Sequence, residues 1–237
     1  MSALTLAIPS KGRLEQASRA TFAAAGLPIK RSGGVRSYAG EIDNWPQMAV
    51  RFAPASEIAA DLIRGALDVG ITGADLIHET AETGPDAVWF AKPLNFGQAN
   101  VVVAVPDAWI DVVHMQDLAD VASDFRARHG RWLRVATKYV NLARHHFAAH
   151  GIAEYRIVES AGATEATPAA SAADLIVDIT TTGATLSANG LRVLEDGIIL
   201  KNQANLVVSR TADWSVPARL SALHRLLTPF DVGKIDL

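Results

Sequence analysis

Asp178-Ile-Thr-Thr-Thr-Gly-Ala-Thr185 is the centre of a stretch running from Glu159 to Leu191. Leu175-Ile-Val-Asp178 ahead of it reads as a short strand buried on both faces. A turn rich in hydroxyls and glycine follows, and Thr185-Leu-Ser-Ala-Asn starts a helix. Strand, Thr-Gly loop and helix start, in that order, make a phosphate cradle: Gly183 allows close backbone approach, successive N–H groups point inward and the helix dipole favours negative charge. Thr181, Thr182 and Thr185 add hydroxyl donors. Asp178 is a poor phosphate ligand but a good acceptor for sugar hydroxyls, so the loop suits a phosphorylated sugar better than a free anion. Taken alone, the same stretch is also an ordinary strand–loop–helix connection of an α/β protein.

The 237 residues are enough for one large α/β domain or two small ones. At 49% hydrophobic and 20% charged the composition is globular, and a net charge of −3 gives no footprint for duplex nucleic acid. The chain has no cysteine, which removes disulfides, thiolate metal sites and a cysteine nucleophile together. The N-terminus lacks a basic leader region and no apolar run approaches a membrane span, so a soluble cytoplasmic protein is expected.

Alternation of strands and helices predicts parallel sheets. Strands are expected at Leu4–Ile8, Met48–Phe52, Asp68 onward, Val101–Val105, Arg134–Thr137, Tyr155–Val158 and Leu175–Ile179, with Ile198–Leu200 and Leu206–Ser209 as an extended pair. Helices are expected from about Arg13 to Ala25 (Leu14, Ala17, Thr21 and Ala24 on one face), from a Ser56 cap, and over Asp117–His129, Leu142–His150 and Pro217–Leu227. Lys11 and Arg13 then sit at the carboxyl end of a first strand, where open α/β sheets bind ligands; by themselves they read as two solvated loop charges. Arg31–Gly40 reads as a glycine-rich loop, from which Arg36 reaches a site or is solvated. Gly70 and Gly73 bring backbone close to a ligand or to packing, and Asp75 opens the next helix. His146 and His150 have a chelating spacing but no third ligand, and read as surface and packing histidines. The leucines Leu220, Leu223, Leu226 and Leu227 form one apolar stripe, read as core before partner surface.

Several motifs together resemble the ATP phosphoribosyltransferase family, in its short catalytic form. They are Ile8-Pro-Ser-Lys-Gly-Arg-Leu14, Asp68-Val-Gly-Ile-Thr-Gly-Ala-Asp-Leu76, Arg134-Val-Ala-Thr-Lys-Tyr139, Gly162-Ala-Thr-Glu165, Asp174 through Leu186, and Asn189-Gly-Leu191. They fall in the family's order and cover nearly the whole chain. The resemblance implies an α/β fold of two lobes, like the type II periplasmic binding proteins, with the active site in the interlobe cleft. Residues 1–99 and 200–237 would form the ATP lobe, and 100–199 the lobe for phosphoribosyl pyrophosphate.

The implied reaction joins N1 of ATP's adenine to C1 of phosphoribosyl pyrophosphate, releasing pyrophosphate, with Mg2+ on the sugar substrate. By motif, Thr181, Thr182, Gly183, Ala184 and Thr185 would hold the 5-phosphate, and Glu165 and Asp178 the ribose hydroxyls. Arg13 and Arg36 would act on the pyrophosphate, and Lys11, Gly73 and Asp75 would lie toward ATP. A regulatory subunit similar to histidyl-tRNA synthetase is implied as partner, with a homodimer inside a hetero-oligomer. Gln98-Ala-Asn100 and Ser171 depart from the family pattern, where Cys-Arg-Leu and glycine are usual. The alternatives are another phosphoribosyltransferase class, which usually shows paired acidic residues before the loop, and a two-lobe binding protein without catalysis.

Overall fold

The computed structural model describes residues 4–34, 37–43, 45, 47–160, 162–233 and 235. Arg36, one of the two arginines implicated above, lies outside the described residues. The chain divides into two compact units, one built from the residues up to Gly97 and from Gln203 onward, the other from Gln98 to Asn202.

In the first unit, β1 (Leu4–Pro9), α1 (Gly12–Ala24), β2 (Ile29–Arg31), β3 (Ala39–Ile42), β4 (Met48–Ala53), α2 (Ala55–Ile63), β5 (Val69–Gly73), α3 (Ala74–Thr80) and β6 (Val88–Pro93) follow one another. After the second unit the chain adds β12 (Ala204–Ser209) and α7 (Pro217–Leu227), numbered along the whole chain. Seven strands make one sheet in the order β2-β3-β4-β1-β5-β12-β6. The period-two side-chain alternation splits β1 between two cores. Leu4, Leu6 and Ile8 face a cluster that includes Phe22 of α1 and Leu223, Leu226 and Leu227 of α7, while Ala7 faces Ile58, Leu62 and Ile77 of α2 and α3. Leu223, Leu226 and Leu227 of the α7 stripe are therefore core, as its spacing suggested, and Leu220 is half-buried outside that cluster. Arg219 of α7 also pairs with the buried Asp68, whose other carboxylate oxygen accepts from Thr5 N at 2.8 Å.

The second unit contains β7 (Asn100–Pro106), α4 (Met115–His129), β8 (Leu133–Thr137), α5 (Val140–Ala149), β9 (Tyr155–Glu159), β10 (Leu175–Thr180), α6 (Ala184–Ala188) and β11 (Leu191–Leu200). Its five-stranded sheet runs β11-β7-β10-β8-β9. Leu175 and Val177 pack toward α4 and α5, and Ile176 packs on the other face with Leu186 of α6. Asp178 continues that second face, two residues beyond Ile176.

Several expectations are corrected. The sheets are mixed, because β7 runs antiparallel to β10 and β12 antiparallel to β5, although β1–β4, β1–β5, β8–β9 and β8–β10 are parallel. The strands around Ile198 and Leu206 belong to different sheets: β11 pairs β7, and β12 pairs β5 and β6. Among the described residues, only the ends of the expected Arg31–Gly40 loop are strand, with Arg31 of β2 opposite Gly40 of β3. Pro54, not Ser56, precedes the first turn of α2. In α1 the fully buried residues are Ser18 and Phe22, and Ala24 is exposed.

Candidate active site

The hydroxyl–glycine loop lies at the carboxyl end of β10. Glu165, Asp178, Thr181, Thr182, Ala184 and Thr185 line one concavity of about 330 Å³, together with Ile179, Thr180 and Leu186. Glu165, distant in sequence, arrives on a short 3-10 turn over Thr164–Ala166, whose Thr164 is buried and donates to Ser160 Oγ at 3.1 Å. Two carboxylates and several threonines thus face the same volume, and among the described residues no basic side chain is in its lining.

The loop's own hydrogen bonds differ from the expected ring of free amides. Gly183 N donates to Thr180 Oγ1 at 2.9 Å, and Ala184 N to Thr182 Oγ1 at 3.3 Å. Thr181 Oγ1 donates to the carbonyl of Gln98 at 3.2 Å, and so ties the loop to the residue that stands in the departing Gln-Ala-Asn segment. The helix that follows has only five residues, so its dipole is that of little more than one turn. Its first-turn amides at Thr185 and Leu186 have no intrahelical acceptor. Gly183 caps it with φ 76°, a left-handed conformation, and a Cβ there would meet no atom within 4 Å. The glycine is required by the turn and leaves its backbone open to whatever enters the cradle.

Asp178 is the electrostatically perturbed group of this site. Burial raises its pKa above the ordinary carboxylate value; the N–H of Ile179 at 2.8 Å and the charge of Lys138 oppose this, and nearby Glu165 adds to it. Lys138 belongs to the Arg134–Tyr139 motif. Its signal is the sheet order, since β8 lies parallel and next to β10.

In the first unit, Lys11, Gly73 and Asp75 lie at one edge of the sheet. Pro9 of β1 pairs with Ala53 of β4, and Ala7 with Gly70 of β5, so β1, β4 and β5 end together at their carboxyl termini. Lys11 precedes α1 and is exposed, and Arg13 is exposed in its first turn. Gly73 precedes α3, and Asp75 is buried in that helix's first turn. Gly70 serves packing: a Cβ there would lie 2.5 Å from Ile58 Cγ2 and 3.2 Å from Leu62 Cδ1. Arg31 braces this edge. It donates to Ser10 O at 2.7 Å and to Ser37 O, pairs with Glu15 at 2.9 Å, and stacks 3.8 Å from the Phe52 ring centroid.

The histidines stay out of the site. Burial, with help from His150, depresses the pKa of His146 to about 4, and the two rings pack 4.4 Å apart. Among the described residues no three acidic, histidine or cysteine side chains are grouped to hold a metal ion. Among them, too, no helix is long and apolar enough to cross a membrane.

β10 carries Asp178 two residues before its end, and the hydroxyl–glycine turn that follows, with Glu165 beside it, gives a two-unit α/β fold a concavity of hydroxyls and carboxylates. The comparisons with known proteins narrow this class. The family HisG, described as ATP phosphoribosyltransferase, matches residues 54–228, and the chain belongs to it. An ATP phosphoribosyltransferase of Afipia carboxidovorans is 58% identical over 217 residues, 92% of this chain and 67% of the relative. One from Nitrobacter winogradskyi is 57% identical over 221 residues, 93% of this chain and 68% of the relative. The chain thus spans about two thirds of the length of these curated relatives. Among solved structures, the ATP phosphoribosyl transferase (HisG:HisZ) complex of Thermotoga maritima aligns with TM-score 0.70 and 25% identity, covering 96% of each chain. The arginine-bound form of a truncated arginine-binding protein from Thermotoga maritima aligns with TM-score 0.51 at 12% identity, over 97% of this chain and 93% of that one, and shows the fold alone.

Proposed function

We propose that the chain transfers the phosphoribosyl group of phosphoribosyl pyrophosphate to N1 of the adenine of ATP, the step that opens histidine biosynthesis, in the cytoplasm. The observation that carries this reading is the concavity in which Thr181, Thr182 and Thr185 face Asp178 and Glu165, in a chain of this family. The threonine hydroxyls and first-turn amides would hold the 5-phosphate, and the two carboxylates the ribose hydroxyls. Lys11, Gly73 and Asp75 would lie toward ATP. Residues 100–199 would be the sugar-phosphate side, and 1–99 with 200–237 the ATP side.

The reaction forms an N1–C1 bond and breaks the bond from C1 to the pyrophosphate oxygen, which leaves with the electron pair. Adenine N1 presents a neutral lone pair, so no general base is needed to activate it. Charge builds on the departing pyrophosphate and on an oxocarbenium-like sugar, and positioned cations supply the stabilisation. Arg13 and Arg36 are proposed for that task, because the guanidinium fork donates to two phosphate oxygens at once. A divalent cation, proposed as Mg2+, would arrive on the sugar substrate; Asp178 and Glu165 offer the hard oxygen donors such an ion takes. By similarity to the HisG:HisZ complex, the partner proposed is a regulatory subunit related to histidyl-tRNA synthetase, joined by a homodimer of this chain.

The test is incubation of the purified chain, with and without that partner, with ATP, phosphoribosyl pyrophosphate and Mg2+. Formation of N1-phosphoribosyl-ATP and pyrophosphate in equal amounts is expected. Tight binding of either compound with no product under both conditions would overturn the reading.

A further inference from the structure

The sugar-phosphate concavity has an unbalanced charge. Among the described residues its lining carries two carboxylates and no cation, yet a phosphorylated sugar brings further negative charge to it. Hydroxyl and amide donors orient a phosphate but do not cancel the repulsion between its charge and Glu165 and Asp178. A divalent cation carried by the substrate would offset part of this charge, and a basic group of the same unit near this end of the sheet would offset more.

Lys138 is such a group by position. β8 and β10 are parallel neighbours, with Val135 opposite Leu175 and Ala136 opposite Ile176. Continuing that register by two residues brings Lys138 abreast of Asp178, at the carboxyl edge that carries the loop. The backbone around Lys138 is anchored: the buried Thr137 accepts from Tyr139 N through Oγ1 at 2.8 Å, and its carbonyl accepts from Ser160 N at 3.0 Å. Tyr139 is itself buried, with its ring 4.9 Å from Lys138 Nζ. The lysine between these two buried residues is exposed, and it forms no ion pair with any carboxylate among the described residues. An ammonium held on a fixed turn and left unneutralised is a point-charge donor for phosphate.

We propose that Lys138 is a binding residue of this chain for a phosphate of the phosphoribosyl substrate, supplying from the second unit the positive charge that the loop lacks. This rests on the function proposed above.

The experiment is calorimetric titration of the full chain and of Lys138→Met and Lys138→Arg with phosphoribosyl pyrophosphate, with ATP, with ribose 5-phosphate and with inorganic pyrophosphate. Lys138→Met should weaken phosphoribosyl pyrophosphate at least about tenfold, as loss of a charge-assisted hydrogen bond does, and leave ATP unchanged; Lys138→Arg should recover most of the loss. A loss carried by ribose 5-phosphate places Lys138 at the 5-phosphate, and one carried by pyrophosphate places it at the leaving group; both support the assignment. Wild-type affinity of Lys138→Met for all three phosphates overturns it. Equal weakening of ATP and of the sugar phosphate also overturns it, because that is a loss of fold. An unmodified chain that binds no phosphoribosyl pyrophosphate defeats the proposed function itself, a result distinguishable from failure of the lysine alone.

Discussion

Replacing Asp178 by asparagine should move activity and stability in opposite directions. The side chain is half-buried, and burial chiefly pushes its carboxyl above the ordinary aspartate value of 3.8. A carboxylate whose folded pKa is raised is favoured in its protonated form by the fold, so at neutral pH its ionisation costs stability. That cost is absent below about pH 3.8 and grows as pH rises through the folded value. Asparagine keeps an oxygen for the 2.8 Å bond from Ile179 N and removes the charge. Asp178→Asn is therefore expected to melt above the wild type at pH 7 and at the same temperature near pH 3. The lost acceptor to a sugar hydroxyl costs about 1.5–3 kcal/mol, or roughly ten- to over a hundredfold in kcat/KM for phosphoribosyl pyrophosphate, with KM for ATP nearly unchanged. Thermal unfolding across pH and steady-state kinetics on the same protein check both halves. A variant that is less stable at pH 7, or that keeps full efficiency for the sugar substrate, would refute the reasoning.

Ser171 adopts φ 55°, in the left-handed region, which accounts for the glycine usual there. Ser171→Gly should gain roughly 0.5–1 kcal/mol, the left-handed strain relieved less the glycine's entropy cost, measurable by denaturant unfolding with no change in kinetics. His146, depressed from 6.5 to about 4 chiefly by burial, contributes stability that is present above pH 6.5 and is lost as pH falls toward 4, with His150, His145 and Asp196 as the charged neighbours. His146→Gln should flatten the slope of unfolding free energy over that window, and an unchanged slope would contradict the assignment. Arg13→Lys retains charge but loses the fork, so the chemical step in single-turnover measurements should slow with little change in ATP binding; an unaltered step would leave Arg13 as a solvated charge.

Where local pattern alone decides an element, the sequence was sufficient. Leu-Thr-Leu-Ala-Ile and Leu-Ile-Val-Asp are strands buried on both faces, and Pro217–Leu227 starts at its proline and ends at Leu227. β3 was hidden because Ala-Gly-Glu-Ile has one buried residue, and its Gly40 looks like a loop signal. A Cβ on Gly40 would lie 2.7 Å from Phe52 Cε2, so packing demands the residue that disguised the strand. β6 was missed because it is a half-exposed edge strand without alternation. The antiparallel directions of β7 and β12 follow from the order in which strands meet, which no local period carries. The same holds in the site. The threonines and Asp178 are neighbours in sequence and legible there, whereas Lys138 meets Asp178 only through the pairing of β8 with β10. The hydrogen bonds that occupy Gly183 N and Ala184 N were likewise invisible before the loop had a shape.

The claim that the loop after β10 holds the sugar phosphate is tested most directly by titrating phosphoribosyl pyrophosphate and ATP separately into the wild type and Thr185→Val. The substitution keeps the shape of an exposed side chain that lines the concavity and removes its hydroxyl. The account predicts phosphoribosyl pyrophosphate affinity lower by about 1.5–3 kcal/mol, the cost of a hydrogen bond to a charged group, with ATP affinity unchanged. Equal affinity of both proteins for phosphoribosyl pyrophosphate would contradict it.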